Sequence, residues 1–225
     1  MLVHSVEMIE RRGLFYQKDS RGKLRRFRPW LGDCFSFLYD YVMERSVFPK
    51  KFDASLEKHK EILKKELRSF EGESVLELGT GSGAASEVLP RNISYAGLDV
   101  SPGLLRRGKK AFACRGFSGA SFYVASAEDL PFDDSLFSLC FCALSLNFFP
   151  CIPRVLEEIR RVLVPGGAFF CVVPVTDRNH RGSAIRGTLY SEEVLRSLCE
   201  EKGFSFRSLE YKNGALLYCK ALAEK

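Results

Sequence analysis

Val75-Leu-Glu-Leu-Gly79-Thr-Gly81-Ser-Gly83 decides the fold of this 225-residue chain, and Tyr95-Ala-Gly-Leu-Asp99 completes the reading. The first stretch is an apolar strand that breaks into a glycine-dense turn. The second is a strand that ends in a carboxylate. Glycines 79, 81 and 83 remove each Cβ that would keep a ligand off the main chain. A carboxylate at the end of the next strand can accept both vicinal hydroxyls of a ribose. Together the two stretches predict a nucleoside-containing cofactor at the carboxyl edge of a parallel sheet.

Outward from this centre the chain alternates. Strands are predicted over 74–78, 94–98, 121–124, 136–144 and 168–173, and helices over 84–89, 102–114, 152–163 and 191–202. The run from Leu136 to Leu144 is apolar on both faces and is predicted to be central. Residues 204–210 and 215–220 form a closing hairpin about Asn213-Gly214. Pro165-Gly166-Gly167 reads as a turn between helix and strand. The fold class is therefore α/β: a Rossmann-like, doubly wound, mostly parallel sheet of seven strands, with a C-terminal antiparallel hairpin and an N-terminal helical cap. The cap helix spans 31–47, with Phe35, Leu38, Tyr39, Val42 and Met43 on one face, and Pro49 ends it. A further helix over 55–70 is capped by Ser55. The division predicted is a basic arm and cap helix over 1–53 and a cofactor-binding domain over 54–225.

Composition is that of a globular protein, 46% hydrophobic and 28% charged. The longest apolar run, 136–150, is too short and too polar to span a membrane. The N-terminal residues carry acids where an export signal carries bases, so the compartment expected is the cytoplasm. Eight cysteines without a Cys-x-x-Cys pair read as buried, reduced thiols, and no metal site is expected. The net charge is +6, of which +5 lies in residues 1–30. Such an arm can bind nucleic acid or an acidic surface, but only Phe27 and Trp30 interleave with its bases. Nucleic acid is thus an available partner and not the favoured one. Phe15, Tyr16, Leu24 and Phe27 flank Lys18–Lys23, which reads as a turn between two short strands.

The glycine turn admits three cofactors. A triphosphate needs a Gly-Lys-Ser or Gly-Lys-Thr ending, which is absent. A dinucleotide is weakly served by Gly79-x-Gly81-x-x-Ala84, and Glu77 would repel its pyrophosphate. S-adenosylmethionine has no phosphate, and Glu77 suits its sulfonium and amino groups. Two further segments follow in order: Ser126-Ala-Glu-Asp-Leu-Pro-Phe132, and Arg160-Arg-Val-Leu-Val-Pro-Gly-Gly-Ala168. With these four parts the chain resembles the class I methyltransferases that use S-adenosylmethionine, in particular the small-molecule group that includes quinone-biosynthesis C-methyltransferases. The resemblance covers residues 72–175 well, 188–221 loosely and the first 50 not at all.

The resemblance implies roles by position. Glu77, Gly79, Thr80, Gly81 and Gly83 would line the methionine portion. Asp99 would hold the ribose, with Val100 and Ser101 beside the adenine. Ser126, Ala127 and Glu128 would meet the adenine edge, and Ala143 and Leu144 would lie under the methionine. Asn147 and Phe148 would face the substrate, a small-molecule acceptor, and S-adenosylhomocysteine would be the product; outside the resemblance, Tyr39 and Asp40 of the cap helix and Tyr190 beside the last helix could reach the substrate side. Relatives commonly carry an acid where Ser126 stands, and a polar group where Phe148 and Phe149 follow Asn147. Histidines 4, 59 and 180 lie outside these motifs, and each reads as a surface or helix residue. No catalytic residue, acceptor atom or oligomeric state follows. Competing readings are an RNA or protein methyltransferase guided by the arm, a protein that holds the cofactor without turnover, and a dehydrogenase. The loop 176–188, with Arg178, His180, Arg181 and Arg186, could grip an anionic substrate.

Overall fold

The computed structural model describes residues 7–19, 21–25, 27 and 39–224. Among the described residues one sheet of nine strands forms the middle layer, in the order β1-β2-β5-β4-β3-β6-β7-β9-β8. The strands are β1 (Met8–Arg11), β2 (Leu14–Gln17), β3 (Ser74–Leu78), β4 (Ser94–Asp99), β5 (Ser121–Val124), β6 (Phe137–Ala143), β7 (Leu163–Pro174), β8 (Phe204–Asn213) and β9 (Leu216–Ala223). Strands β3 to β7 pair in parallel, while β9 runs antiparallel to both β7 and β8.

Two strands exceed the expected seven. They come from the basic arm, where β1 and β2 pair antiparallel about Arg12-Gly13 and β2 lies parallel to β5. At the turn expected over 18–23, Lys18 bridges Leu24, and the N–H groups of Asp19 and Arg25 donate to the Lys23 and Gln17 carbonyls, each at 2.7 Å. The sheet edge favours Leu14–Gln17 because Leu14 and Gln17 are buried there, with Phe15 stacked on Tyr123 at 5.2 Å. An exposed edge of β5 would offer unpaired N–H and C=O groups, and the arm satisfies them.

The helices are α1 (Tyr39–Val42), α2 (Leu56–Leu67), α3 (Pro102–Cys114), α4 (Ile152–Val162) and α5 (Glu192–Glu201). Ser55, Ser101 and Ser191 cap α2, α3 and α5 through their hydroxyls. Leu63 and Leu67 of α2 and Leu105 and Phe112 of α3 cover one sheet face, and Leu156 and Ile159 of α4 with Leu195 of α5 cover the other. Helices on both faces leave the carboxyl ends of β3 and β6 at the point where the strand order reverses, the place where open sheets bind ligands.

Three local expectations differ. The helix expected over 84–89 is a single 3₁₀ turn, Ala84–Glu87. Pro165-Gly166-Gly167 is not a separate turn: β6 pairs with Leu163 opposite Phe137 and again with Ala168 opposite Leu139, so the residues between bulge out of one strand. The cap helix does not stop at Pro49. Its described part continues from α1 into a wide π-type coil, Met43–Phe52, ended by Asp53 at φ 51°. Pro49 removes one N–H from the ladder, and the chain widens instead of ending. Residues 31–38, including Phe35 and Leu38, and Trp30 lie outside the described residues.

Candidate cofactor and acceptor site

The turn after β3 is built to expose backbone. Gly79 has φ 74°, and a Cβ there would fall on the Ser145 side chain, which reaches from the end of β6. Gly83 has φ 86°, and its Cβ would lie 2.7 Å from the Gly108 Cα of α3. The third glycine therefore lets α3 close on the turn, and the first lets β6 approach it. Ser145 Oγ lies 3.3 Å from the Gly79 carbonyl oxygen. Leu144 has φ 60°, an unfavourable conformation for a branched side chain, and its N–H is held by the Val172 carbonyl at 2.7 Å.

Asp99 couples the two strand ends. One carboxylate oxygen accepts the Gly81 N–H and the other the Ser101 N–H, each at 2.9 Å. A carboxylate can accept about four hydrogen bonds, so holding the turn is compatible with holding a ribose. Val100 is exposed beside it, and Ser101 is buried as the cap of α3.

Glu77 is only 4% exposed. Burial pushes its carboxyl up to about 8, opposed by the hydrogen bond from Tyr95 and reinforced by the Asp99 charge. The Tyr95 hydroxyl donates to Glu77 Oε2, and Thr80 Oγ1 lies 3.2 Å from that hydroxyl. Without a cation beside it, the acid is held as a neutral group poised to ionise.

A cavity of about 370 Å³ opens from the glycine turn. Glu77, Thr80 and Ala143–Ser145 line one side, and Met43, Phe48, Leu56, His59 and Leu63 the other. The cap reaches the turn through Asp40, whose carboxylate accepts the Ser82 hydroxyl at 2.5 Å and pairs with Arg107 at 2.6 Å.

The segment 126–134, which includes the residues expected to meet the adenine, is held from two directions. Arg161 donates to the Phe132 carbonyl at 2.6 Å and the Leu130 carbonyl at 3.0 Å, and pairs with the buried Glu158, which accepts the Leu130 N–H at 2.7 Å. Gln17 and Arg25 of the arm both contact Asp129, at 2.8 and 2.7 Å. Ala127 is buried, while Ser126 and Glu128 are half-buried, with the Ser126 hydroxyl accepting the Glu128 N–H at 3.3 Å.

The residues expected on the substrate side divide. Phe148 is exposed. Asn147 is 3% exposed; its Nδ2 donates to the Arg186 carbonyl at 2.5 Å, its backbone carbonyl accepts the Thr188 N–H at 2.8 Å, and its Oδ1 is buried with no hydrogen-bond partner among the described residues. It fastens the loop 176–188 to the end of β6. In that loop Arg178 is turned onto the Tyr211 and Leu216 carbonyls and Glu192, and Arg181 pairs with Asp53 at 2.9 Å. Tyr39 is the first described residue of α1, and its side chain lies outside the described residues.

Sequence reasoning passed over Tyr95 and Arg161, gave Asp40 only as a cap residue that could reach the site, and read His59 as a surface or helix residue. Tyr95 was detectable as a hydroxyl two residues before Gly97, the parallel partner of Glu77. His59 was detectable by its spacing from Leu56 and Leu63, which puts it on the apolar face of α2. Asp40 and Arg161 act through contacts 67 and 29 residues distant, which no local pattern carries. Among the described residues no group of His, Cys, Asp and Glu could hold a metal ion.

Comparison with known proteins agrees with this geometry. Residues 76–171 match the family model described as a methyltransferase domain. The chain is similar to the probable phthiotriol/phenolphthiotriol dimycocerosates methyltransferase 2 of Mycobacterium ulcerans, 35% identical over 101 residues that make up 44% of this chain and 38% of that protein. It is similar to the demethylmenaquinone methyltransferase of Symbiobacterium thermophilum, 33% identical over 107 residues, 45% of this chain and 42% of that protein. The matches thus span about two fifths of these relatives. Its fold resembles that of a SAM dependent methyltransferase from Aquifex aeolicus, with a TM-score of 0.64, 19% identity, and coverage of 84% of this chain and 97% of the other.

Proposed function

We propose, from a chain whose residues 76–171 form a class I S-adenosylmethionine-dependent methyltransferase domain, that the protein transfers a methyl group to a small, largely apolar acceptor by direct displacement. The observation that carries this reading is the bare main chain of Gly79–Gly83 flanked by the buried Glu77 and by Asp99, opening into a cavity walled by Phe48, Leu56 and Leu63.

The residues fit the cofactor. The glycine turn has no side chain to fill the space a ligand would take, and the neutral, buried Glu77 gains most from a positively charged neighbour. Glu77, Thr80 and Gly79–Gly83 would hold the methionine portion, with Ala143 and Leu144 beside it. Asp99 would hold the ribose, and Val100, Ser101, Ser126, Ala127 and Glu128 the adenine. When bound, the cofactor supplies a methyl group already activated by positive sulfur. The protein's task is then alignment and exclusion of water. Phe48, Leu56 and Leu63 exclude water, Asp40 holds the cap on the turn, and Arg161 fixes the segment that meets the adenine. We assign residues 1–53 to the arm and cap and 54–225 to the catalytic domain, with β1 and β2 serving as an edge extension. Free thiols at all seven described cysteines support a reducing compartment such as the cytoplasm. No helix among the described residues is long and apolar enough to cross a membrane.

The test incubates the protein with methyl-tritiated S-adenosylmethionine and, separately, a panel of phenols, naphthols and lipid extracts, bulk RNA, and protein. Label should enter the organic phase. Label entering only RNA or protein would refute the reading.

A further inference from the structure

His59 sits 5% exposed on the inner face of α2 and lines the same cavity as Glu77 and the glycine turn. A run of hydrogen bonds through Tyr218 and Asn213 fixes the protonation of the ring. Asn213 Oδ1 accepts the Ser55 N–H at 2.9 Å, and its Nδ2 donates to the Ser55 carbonyl at 3.0 Å, so the orientation of the amide is set by the backbone. The same Nδ2 donates to the Tyr218 hydroxyl oxygen at 3.0 Å. That hydroxyl has one further neighbour among the described residues, His59 Nδ1 at 3.0 Å. Tyr218 must therefore give its own proton to Nδ1, since otherwise a buried hydroxyl would lack an acceptor. A neutral imidazole that accepts at Nδ1 carries its proton on Nε2. Burial, helped by the charge of Lys60, pushes the ring down to about 4, so it stays neutral. Its surroundings are apolar: Phe48 lies 5.2 Å from the ring, and Leu56 and Leu63 line the cavity beside it.

We propose that His59 is a specificity-determining residue whose Nε2–H binds an oxygen of the acceptor, a carbonyl, enol or phenol oxygen on an otherwise apolar molecule, with Tyr218 and Asn213 as its positioning residues. The proposal rests on the methyltransferase reading above. A neutral donor in an apolar wall rewards an acceptor that carries such an oxygen and rejects the plain hydrocarbon, because the donor would then be buried unpaired. The cofactor's own carboxylate offers similar oxygen chemistry. Phe48, Leu56 and Leu63 around His59 favour the apolar acceptor over a zwitterion.

The probe is 1-naphthol, with naphthalene as control, added to the full-length protein saturated with S-adenosylhomocysteine and followed by long-range proton–nitrogen correlation of the His59 ring. The expected spectrum shows an unprotonated Nδ1 and a protonated Nε2. 1-Naphthol should shift the Nε2 signal saturably, and naphthalene should not. His59→Leu should weaken 1-naphthol binding by about tenfold. Tyr218→Phe, the milder change, should weaken it several-fold and allow the proton to move to Nδ1. An Nδ1-protonated ring, an Nε2 signal that 1-naphthol leaves in place, or a shift produced by S-adenosylhomocysteine alone would overturn the proposal. Failure to bind S-adenosylhomocysteine at all would instead overturn the methyltransferase reading, so the two failures are distinct.

Discussion

Raising the pH from 5 to 8 should destabilise the ligand-free protein through Glu77. In the unfolded chain this acid titrates near its ordinary value of 4.5, and in the fold burial holds it at about 8. Between those values the unfolded chain has released the proton and the folded one keeps it. Stability contributed by the neutral acid is therefore complete below pH 4.5 and is lost as pH rises through 8. The interval is about three and a half units, worth roughly 5 kcal/mol at about 1.4 kcal/mol per unit. Glu77→Gln keeps an oxygen to accept from Tyr95 and removes the titration. Urea unfolding of both proteins at pH 5, 6, 7 and 8 isolates the term, because every other titrating group cancels in the difference. The wild type should fall behind the variant progressively, by several kcal/mol at pH 8. A difference that stays constant across the range would refute the reasoning. The same linkage makes the affinity for S-adenosylmethionine rise with pH between 6 and 8, since a cation binds the ionised acid best.

Further outcomes follow from single contacts. Gly83→Ala must hold a left-handed φ and push a methyl against the Gly108 backbone of α3, costing roughly 2–5 kcal/mol, visible as a lower melting temperature. Arg161→Ala leaves the buried Glu158 without its partner and frees the 130–134 segment, costing about 3–5 kcal/mol. Limited proteolysis should then cut near residues 130–134 first. Asp40→Ala releases the cap from Ser82 and Arg107. It should weaken cofactor binding severalfold while leaving urea stability within about 1 kcal/mol, because the Asp40–Arg107 pair is largely exposed.

Much of this architecture is written locally. Strands at 74–78 and 121–124 and the helix at 102–114 are found at the predicted residues, because apolar runs and a Ser-Pro cap act within a few residues of themselves. The glycine turn was legible because Gly79, Gly81 and Gly83 have no other efficient use in one turn. What escaped depends on contacts distant in sequence. A short strand was expected around Phe15 and Tyr16; that it joins the main sheet depends on the free edge of β5, which Leu14–Gln17 do not announce. Pro165-Gly166-Gly167 has turn chemistry in either outcome, and only the pairing of Leu163 with Phe137 makes it a bulge. Asn147 was expected to face the substrate from the resemblance; what that did not show is that its Nδ2 is held by the Arg186 carbonyl, 39 residues away, which leaves Oδ1 as the end of the amide without a partner among the described residues. His59 was treated as an ordinary helix residue because its chemistry is set by Tyr218 and Asn213, more than 150 residues later.

The central claim is that the turn after β3, with Glu77 and Asp99, holds a phosphate-free adenosyl ligand. Isothermal titration of the purified protein with S-adenosylhomocysteine and with NAD tests it most directly. The account predicts saturable single-site binding of the first, no heat from the second, and roughly 100-fold weaker binding in Asp99→Ala from the loss of two charge-assisted hydrogen bonds. Heat from NAD alone, or binding of S-adenosylhomocysteine that Asp99→Ala leaves unchanged, would contradict it.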